Sequence, residues 1–361
     1  MRILFCDPVA SSPYDERVMA ERGLGGTEAT VVRVAGELSK RHEVVVAQSA
    51  RTSPETGGRV RYVPLDGEDM GVDATPDCVI AVRKPLLVTQ AATRFPDARF
   101  VLWLHNWQRP ELLYWRADLV RTRCRIVTVS DAHRRHTDSL VNGATARALA
   151  TLTRTARRIP IERIYNPIDP QLRADATRFD PDKLIFFSAP YKGLAQILTT
   201  FREVRRAIPG LQLCIAGRDV ATLRSDPTLS ANALDQPGVT VLGRLPQREV
   251  LRHVRESLCV FYPQNRYPET FGLVLAEANA VGTPVLAHDF GSAREILGGA
   301  EQLVPATDVE QIVAKLMQWR LGKRPVLEPR RDFDLYAIAA AWERLLQIPS
   351  SESRDALALR D

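Results

Sequence analysis

Short apolar runs alternate with stretches of helical periodicity along the chain. Runs rich in β-branched, aromatic and leucine residues predict strands at 2–6, 43–47, 60–63, 78–81, 100–104 and 125–129. The pattern resumes further on, with strands predicted at 184–188, 211–216, 239–242, 258–262, 284–287 and 302–304. Between them lie segments with apolar residues every three or four positions, as at 193–207, 248–257 and 310–320. Strand and helix in alternation imply a doubly wound parallel sheet, so the class is α/β, and the series occurs twice. Asn166-Pro167-Ile168-Asp169-Pro170, continuing to Asp180-Pro181-Asp182, interrupts both periodicities and reads as the linker. Two Rossmann-like domains, 1–169 and 170–333, are expected to face a central cleft, with ligands at the carboxyl ends of their strands. A further helix over 334–346 carries Tyr336, Ile338, Ala339, Trp342, Leu345 and Leu346 at helical spacing, and the polar tail 350–361 is expected to fray.

Composition and charge narrow the classes. The 361 residues are ample for two domains, and 45% apolar with 25% charged residues is ordinary for a globular protein. The start, Met1 to Cys6, is cut short by Asp7-Pro8 and does not read as a signal peptide. No apolar run approaches the roughly 20 residues of a membrane span. Five dispersed cysteines without a C-x-x-C pair fit buried free thiols and a cytoplasmic, reducing location. The net charge of +6 is concentrated between Arg116 and Arg163, where eleven arginines face four acids. This stretch follows Trp103, Trp107, Leu112, Leu113, Tyr114 and Trp115. A basic patch beside aromatics suits peripheral contact with an anionic membrane at its inner face, or an acidic acceptor; a solvated arginine-rich face explains it equally well. No nucleic-acid motif accompanies it, and no nucleic-acid partner is expected.

The chemistry centres on Glu269 and Glu277, which bracket Thr270-Phe271-Gly272-Leu273 where the strand 258–262 hands over to a helix expected to begin near Phe271. Free amides and the dipole at a helix N-terminus can hold a phosphate or sugar oxygens. Eight helical residues rise about 12 Å, roughly the reach from the sugar of a nucleotide-sugar to its ribose. A carboxylate at each end would accept hydrogen bonds from both sets of hydroxyls. Gly23-Leu24-Gly25-Gly26-Thr27-Glu28 opens another helix and can bring backbone amides close to a phosphate. His105 follows the strand 100–104 and points to the expected cleft. Ser188-Ala189-Pro190-Tyr191-Lys192 ends a strand, and Lys192 can place a positive charge on a diphosphate. The two Asp-x-Asp matches, Asp180-Pro181-Asp182 and Asp332-Phe333-Asp334, follow no core strand, so a metal-bound donor is not expected.

Glu269 to Glu277, with Phe271-Gly272 inside, resembles the E-x7-E signature of retaining glycosyltransferases of the GT-B fold, most similar to family four. The similarity runs from Gly25-Gly26-Thr27-Glu28 to the helix around Trp342. It implies transfer of a sugar from a nucleotide diphosphate sugar to a hydroxyl of a glycan or lipid-linked acceptor, as in bacterial surface polysaccharide synthesis, with neither metal nor cofactor. On that pattern Glu269 orients the donor sugar, Glu277 binds the ribose, and the amides of Phe271, Gly272 and Leu273 hold hydroxyls or phosphate. Gly25 and Gly26 face the diphosphate and the acceptor, His105 lies near the reacting sugar, and the helix 334–349 crosses back to the first domain. The family's arginine, three or four residues before the lysine, is replaced here by Ser188, Ala189 and Pro190. Arg218 and Arg244, each after a strand and a glycine, are candidate substitutes. A non-catalytic subunit binding nucleotide-sugar or glycan, and a nucleotide-sugar epimerase of the same fold, remain as alternatives.

Overall fold

A computed structural model describes residues 1–65, 70, 72–152, 155–328 and 330–347; the tail 350–361 lies outside the described residues. The chain separates into two compact units. Among the described residues, the first holds those of Met1–Met19, Leu24–Pro167 and Asp332–Gln347; the second holds those of Ala20–Gly23 and Ile168–Arg331. The division between Pro167 and Ile168 falls within the proline-rich segment.

The first unit contains strands β1 (Arg2–Asp7), β2 (Glu43–Gln48), β3 (Glu55–Gly57), β4 (Val60–Pro64), β5 (Cys78–Val82), β6 (Arg99–Trp103), β7 (Arg125–Thr128) and β8 (Ile161–Arg163). They form one sheet in the order β3-β4-β2-β1-β5-β6-β7-β8, parallel except where β3 runs against β4. The second unit contains β9 (Asp180–Phe186), β10 (Gln212–Ala216), β11 (Val239–Gly243), β12 (Ser257–Tyr262) and β13 (Val285–Ala287) in the parallel order β11-β10-β9-β12-β13. Parallel strands covered on both faces must be apolar throughout, not alternating. Ile3, Leu4, Phe5 and Cys6 of β1 are accordingly all buried, and so is every residue of β12.

Three strand expectations need correction. Asp180-Pro181-Asp182 is not linker but the start of β9, where Asp180 pairs with Ser257. Residues 302–304 make only an isolated bridge, Ala287 to Leu303, and no strand. The short β3 and β8 went unforeseen because three polar or mixed residues at a sheet edge leave no periodicity to detect. All five cysteines are buried and free.

The arginine-rich segment is not the uniform surface its composition suggests. Arg116 is buried, donating to the carbonyls of Val141 (2.8 Å), Thr155 (2.7 Å) and Arg157 (3.0 Å). The four acids of the segment are all matched: Asp118 with Arg121, Asp131 with Arg134, Asp138 with Arg158 and Glu162 with Arg125.

The helix Leu335–Gln347 lies on Gly26–Leu38 within the first unit. It buries Ile338, Ala339, Trp342, Leu345 and Leu346, whereas Tyr336 stays exposed with Lys40 above its ring. Trp342 meets the edge of Trp103, the last residue of β6, at 4.7 Å between ring centroids. Trp342→Ala is expected to cost about 3–5 kcal/mol of stability, the range for emptying a buried tryptophan site; urea unfolding would check it, and Trp342→Phe should recover part of the loss.

Candidate functional site

In the second sheet the chain runs outward from β9 through β10 to β11 and then returns on the other side at β12. Such a reversal leaves a crevice at the carboxyl ends of the two strands where it occurs. Lys192 follows β9 and Glu269 follows β12, so both stand at this point. Lys192 closes the 3-10 turn Pro190–Lys192, and Gly193, at φ 97°, starts the helix Leu194–Ala207. A Cβ on Gly193 would lie 2.8 Å from Cβ of Gln264, so glycine is what lets the two loops approach.

Glu269 is only 3% exposed. Lys192 Nζ donates to its two carboxylate oxygens at 2.9 and 2.8 Å, and the Tyr262 hydroxyl donates to Oε1 at 2.7 Å. Its backbone bridges to Gly291, where a Cβ would fall 2.4 Å from the Glu269 carbonyl oxygen. The Ser292 amide donates to that same carbonyl (2.9 Å), and the Ser292 hydroxyl donates to the Phe271 carbonyl (2.8 Å). Burial alone would push the Lys192 pKa down, but the adjacent Glu269 charge and hydrogen bonds raise it above its ordinary value, so the ammonium persists. Burial and Glu269 together hold Tyr262 as the neutral phenol, opposed in part by its hydrogen bond with Ser188. Ser188 thus belongs to a hydroxyl chain that ends on Glu269. Tyr267 lies beside the Lys192 ammonium (5.5 Å), and the exposed Tyr191 packs edge-on against Tyr267 (5.3 Å).

Glu277 is also buried, in the helix Leu273–Ala280, and accepts from Gln247 Nε2 at 3.0 Å. This helix starts two residues later than expected, with Gly272 at φ 86° as its N-cap. The interval from Glu269 to Glu277 is therefore not eight continuous helical residues, and the 12 Å helical rise does not describe it. Glu269 is fixed instead by its bridge to Gly291. Phe271 packs into the core and its carbonyl is taken by Ser292; the amide of Leu273 opens the helix ahead of the first backbone bonds, Leu275 and Ala276 to Gly272. Arg218 and Arg244 are exposed beyond β10 and β11; Arg244 lies 3.7 Å from Asp219, and neither bonds to Lys192 or Glu269. Among the described residues, Lys192 is the cation paired with Glu269.

The first sheet reverses between β1 and β5. Asp7, fully buried at the end of β1, accepts from Arg83 Nη2 (2.8 and 3.0 Å) and from the Tyr14 hydroxyl (3.0 Å). Arg83 follows β5 at φ 68° and also reaches Glu28 (3.3 Å) in the first turn of the helix Gly26–Leu38, whose N-cap is Gly25. His105, beyond β6, is buried and stacked on Trp103 at 4.5 Å. Burial, then the charges of Arg83 and His133, push its pKa well below the ordinary value, so it is neutral near pH 7. Sequence reasoning passed over Asp7, Tyr14, Arg83, Tyr262, Gln247 and Ser292. Asp7, Arg83 and Tyr262 did carry a signal, a polar group at or just beyond the carboxyl end of a core strand.

Asp180 and Asp182 begin β9, at the opposite edge of the sheet from Lys192. Among the described residues no three histidine, cysteine or acidic side chains group as a metal-holding set, and no helix is long and apolar enough to cross a membrane.

Residues 170–339 match the family of glycosyl transferases group 1. That segment is a group 1 glycosyl transferase domain. The matched segment includes Glu269 to Glu277, the pair that carries the resemblance. Over 171 residues it is 32% identical to a phosphatidyl-myo-inositol mannosyltransferase of Mycobacterium leprae, covering 45% of this chain and 44% of that protein. The chain thus spans less than half the length of that relative. A trehalose-6-phosphate synthase structure, OtsA, superposes with a TM-score of 0.69 at 12% identity, over 97% of this chain and 100% of the other. The lipopolysaccharide outer core galactosyltransferase WaaB does so with a TM-score of 0.56 at 14% identity, over 97% of each. At these identities the likeness shows the fold: two Rossmann-like units of the GT-B class.

His133 gives the group 1 domain's companion unit a pH dependence. It is buried on the helix Asp131–Asn142 against the edge of Trp107 (5.5 Å), and burial lowers its pKa to about 4. Its folded pKa is below the unfolded value, so the unfolded chain binds the extra proton first. Stability is complete above about pH 6.5 and falls toward pH 4, by on the order of 3 kcal/mol for this residue. Urea midpoints at pH 7 and pH 5 should therefore separate in the wild type and draw together in His133→Gln.

Proposed function

We propose that the protein is a glycosyltransferase that moves a sugar from a nucleotide diphosphate sugar to an acceptor hydroxyl with retention of anomeric configuration. The observation that carries this reading is the buried Glu269 carboxylate, held by Lys192 and Tyr262 at the reversal point of the second sheet. A raised lysine pKa is unsuited to proton abstraction and well suited to a fixed positive charge. Lys192 therefore stabilises the negative charge gathering on the departing diphosphate, the general device of preorganised electrostatics. Glu269 orients the donor sugar by accepting from its hydroxyls, and Glu277 does the same for the ribose. The N-terminus of the helix Leu273–Ala280 supports phosphate or sugar oxygens through the amides around Gly272 and Leu273. The departing phosphate takes the acceptor's proton, with attack on the face it leaves. As the resemblance implies, neutral His105 hydrogen-bonds the sugar or the acceptor, and Gly25 and Gly26 serve the diphosphate and the acceptor. No metal or cofactor is required.

The acceptor is a glycan or lipid-linked precursor of a surface polysaccharide, met in the cytoplasm or peripherally at the inner face of an anionic membrane. Support comes from relatives whose names specify phosphatidyl-myo-inositol and lipopolysaccharide core, and from the arginines of the 116–163 segment.

Thermal stabilisation by a panel of nucleotide diphosphates and nucleotide-sugars tests the donor site, because a ligand of the folded state raises the melting temperature by mass action. One nucleotide should shift the wild type clearly, and Glu277→Ala should weaken its affinity about tenfold to a hundredfold, the cost of a charged hydrogen bond. Lys192→Ala should lower turnover about a hundredfold or more with a smaller effect on donor KM. Stabilisation without release of free nucleoside diphosphate on any acceptor would favour a binding subunit instead. An inverted anomeric proton coupling in the product would reject retention.

A further inference from the structure

The first sheet has a second feature, at the edge opposite His105 and Asp7. A cavity of about 520 Å³ opens at the amino ends of β5, β6 and β7, where Cys78, Arg99 and Arg125 begin the three strands. Five arginines line it (Arg99, Arg121, Arg123, Arg125 and Arg157) against a single acid, Asp97. Its volume is in the range of sites that enclose a small molecule. Four of the five arginines, Arg157 among them, already have interactions within the protein. Arg99 donates to the Leu346 carbonyl at the end of the last helix, Arg121 pairs with Asp118 (2.9 Å) and Arg125 with Glu162 (2.6 Å). The Arg123 side chain has no hydrogen-bond or ion-pair partner among the described residues.

Arg123 also occupies a position that favours glycine. The helix Arg116–Arg121 ends in a Schellman motif: the Cys124 amide donates to the Leu119 carbonyl (2.9 Å) and the Arg123 amide to that of Val120 (3.1 Å). Arg123 is the left-handed residue of that motif, at φ 54°. Glycine adopts this conformation without penalty; an arginine is strained there. Strain retained where the simplest residue would relieve it motivates a search for what the side chain does. Here the side chain is an exposed planar cation, without a protein partner among the described residues, on the wall of a cavity lined by five arginines and one acid. Guanidinium groups bind phosphate oxygens in bidentate fashion, and several converging from separate segments select a multiply charged phosphate over a carboxylate.

We propose that this cavity is a second ligand site, separate from the Lys192–Glu269 site, that binds a small phosphorylated molecule: a phosphate ester or diphosphate gripped by Arg123 with support from Arg157 and Arg99. The proposal does not depend on the glycosyltransferase reading, since every residue involved belongs to the first unit and none to the donor site.

Inorganic pyrophosphate is the probe, titrated calorimetrically into the wild-type chain and into Arg123→Gly. The variant relieves the left-handed strain, so its melting temperature without ligand should equal or exceed that of the wild type, which keeps the comparison between folded proteins. Its affinity for pyrophosphate at this site should fall about tenfold or more, the effect of losing one charge-assisted pair. Lys192 is present in both proteins, so any binding at the donor site cancels in the comparison. Arg157→Gln should weaken binding in the same direction. Identical pyrophosphate isotherms for wild type and Arg123→Gly would overturn the proposal. So would Arg123-dependent sedimentation with phosphatidylglycerol vesicles in the absence of pyrophosphate binding, which would make the partner a lipid surface.

Discussion

A carboxylate that is 3% exposed at the end of a sheet strand requires a cation against it, and much of the second unit's local structure follows from that need. Lys192 can reach Glu269 only if the chain turns sharply after β9, which the Pro190–Lys192 turn and left-handed Gly193 accomplish. Glu269 can face Lys192 only if its own backbone is held, which the bridge to Gly291 and the bonds from Ser292 accomplish. Losing one member of such a pair leaves the other buried and uncompensated, at a cost of about 3–5 kcal/mol. The arrangement is therefore held in place by the fold's own contacts.

The first unit meets the same problem in a different way. Asp7 is buried where the strand order reverses between β1 and β5, and Arg83 answers it from the end of β5. Arg83 is shared with Glu28, so the network ties the entrance of the helix Gly26–Leu38 to the two central strands. That helix in turn carries Leu335–Gln347, whose Trp342 packs on Trp103 two residues ahead of His105. The environment that keeps His105 neutral is thus built partly by residues more than two hundred positions further along the chain.

That distance explains what the sequence could and could not disclose. Core strands such as β1 and β12 are continuous apolar runs and were legible almost to the residue. The positions of Glu269, Lys192 and His105 beyond the carboxyl ends of β12, β9 and β6 were legible because each follows a continuous apolar run. Tyr262 and Ser292 were not, because their roles exist only once β9, β12 and β13 are side by side. Asp7 was visible yet read as a break in an apolar run, since nothing local distinguishes a strand-end carboxylate with a partner at residue 83 from one facing water. The arginine-rich segment misled in the opposite direction. Its composition implies a surface, but burial of Arg116 among three carbonyls and the matching of all four acids depend on tertiary pairing that composition does not encode.

Arg83 and Arg123 show that backbone strain and a guanidinium coincide twice in this unit, with φ of 68° and 54°. At Arg83 the compensation is visible, because two carboxylates receive the side chain and Asp7 would otherwise be a lone buried charge. At Arg123 the backbone enters the same region and the helix termination is complete without any contribution from the side chain. A left-handed arginine with its charge satisfied is accounted for by folding alone. One whose charge faces an arginine-lined cavity finds no such compensation in its own contacts, and an entering anion, as proposed above, would supply it.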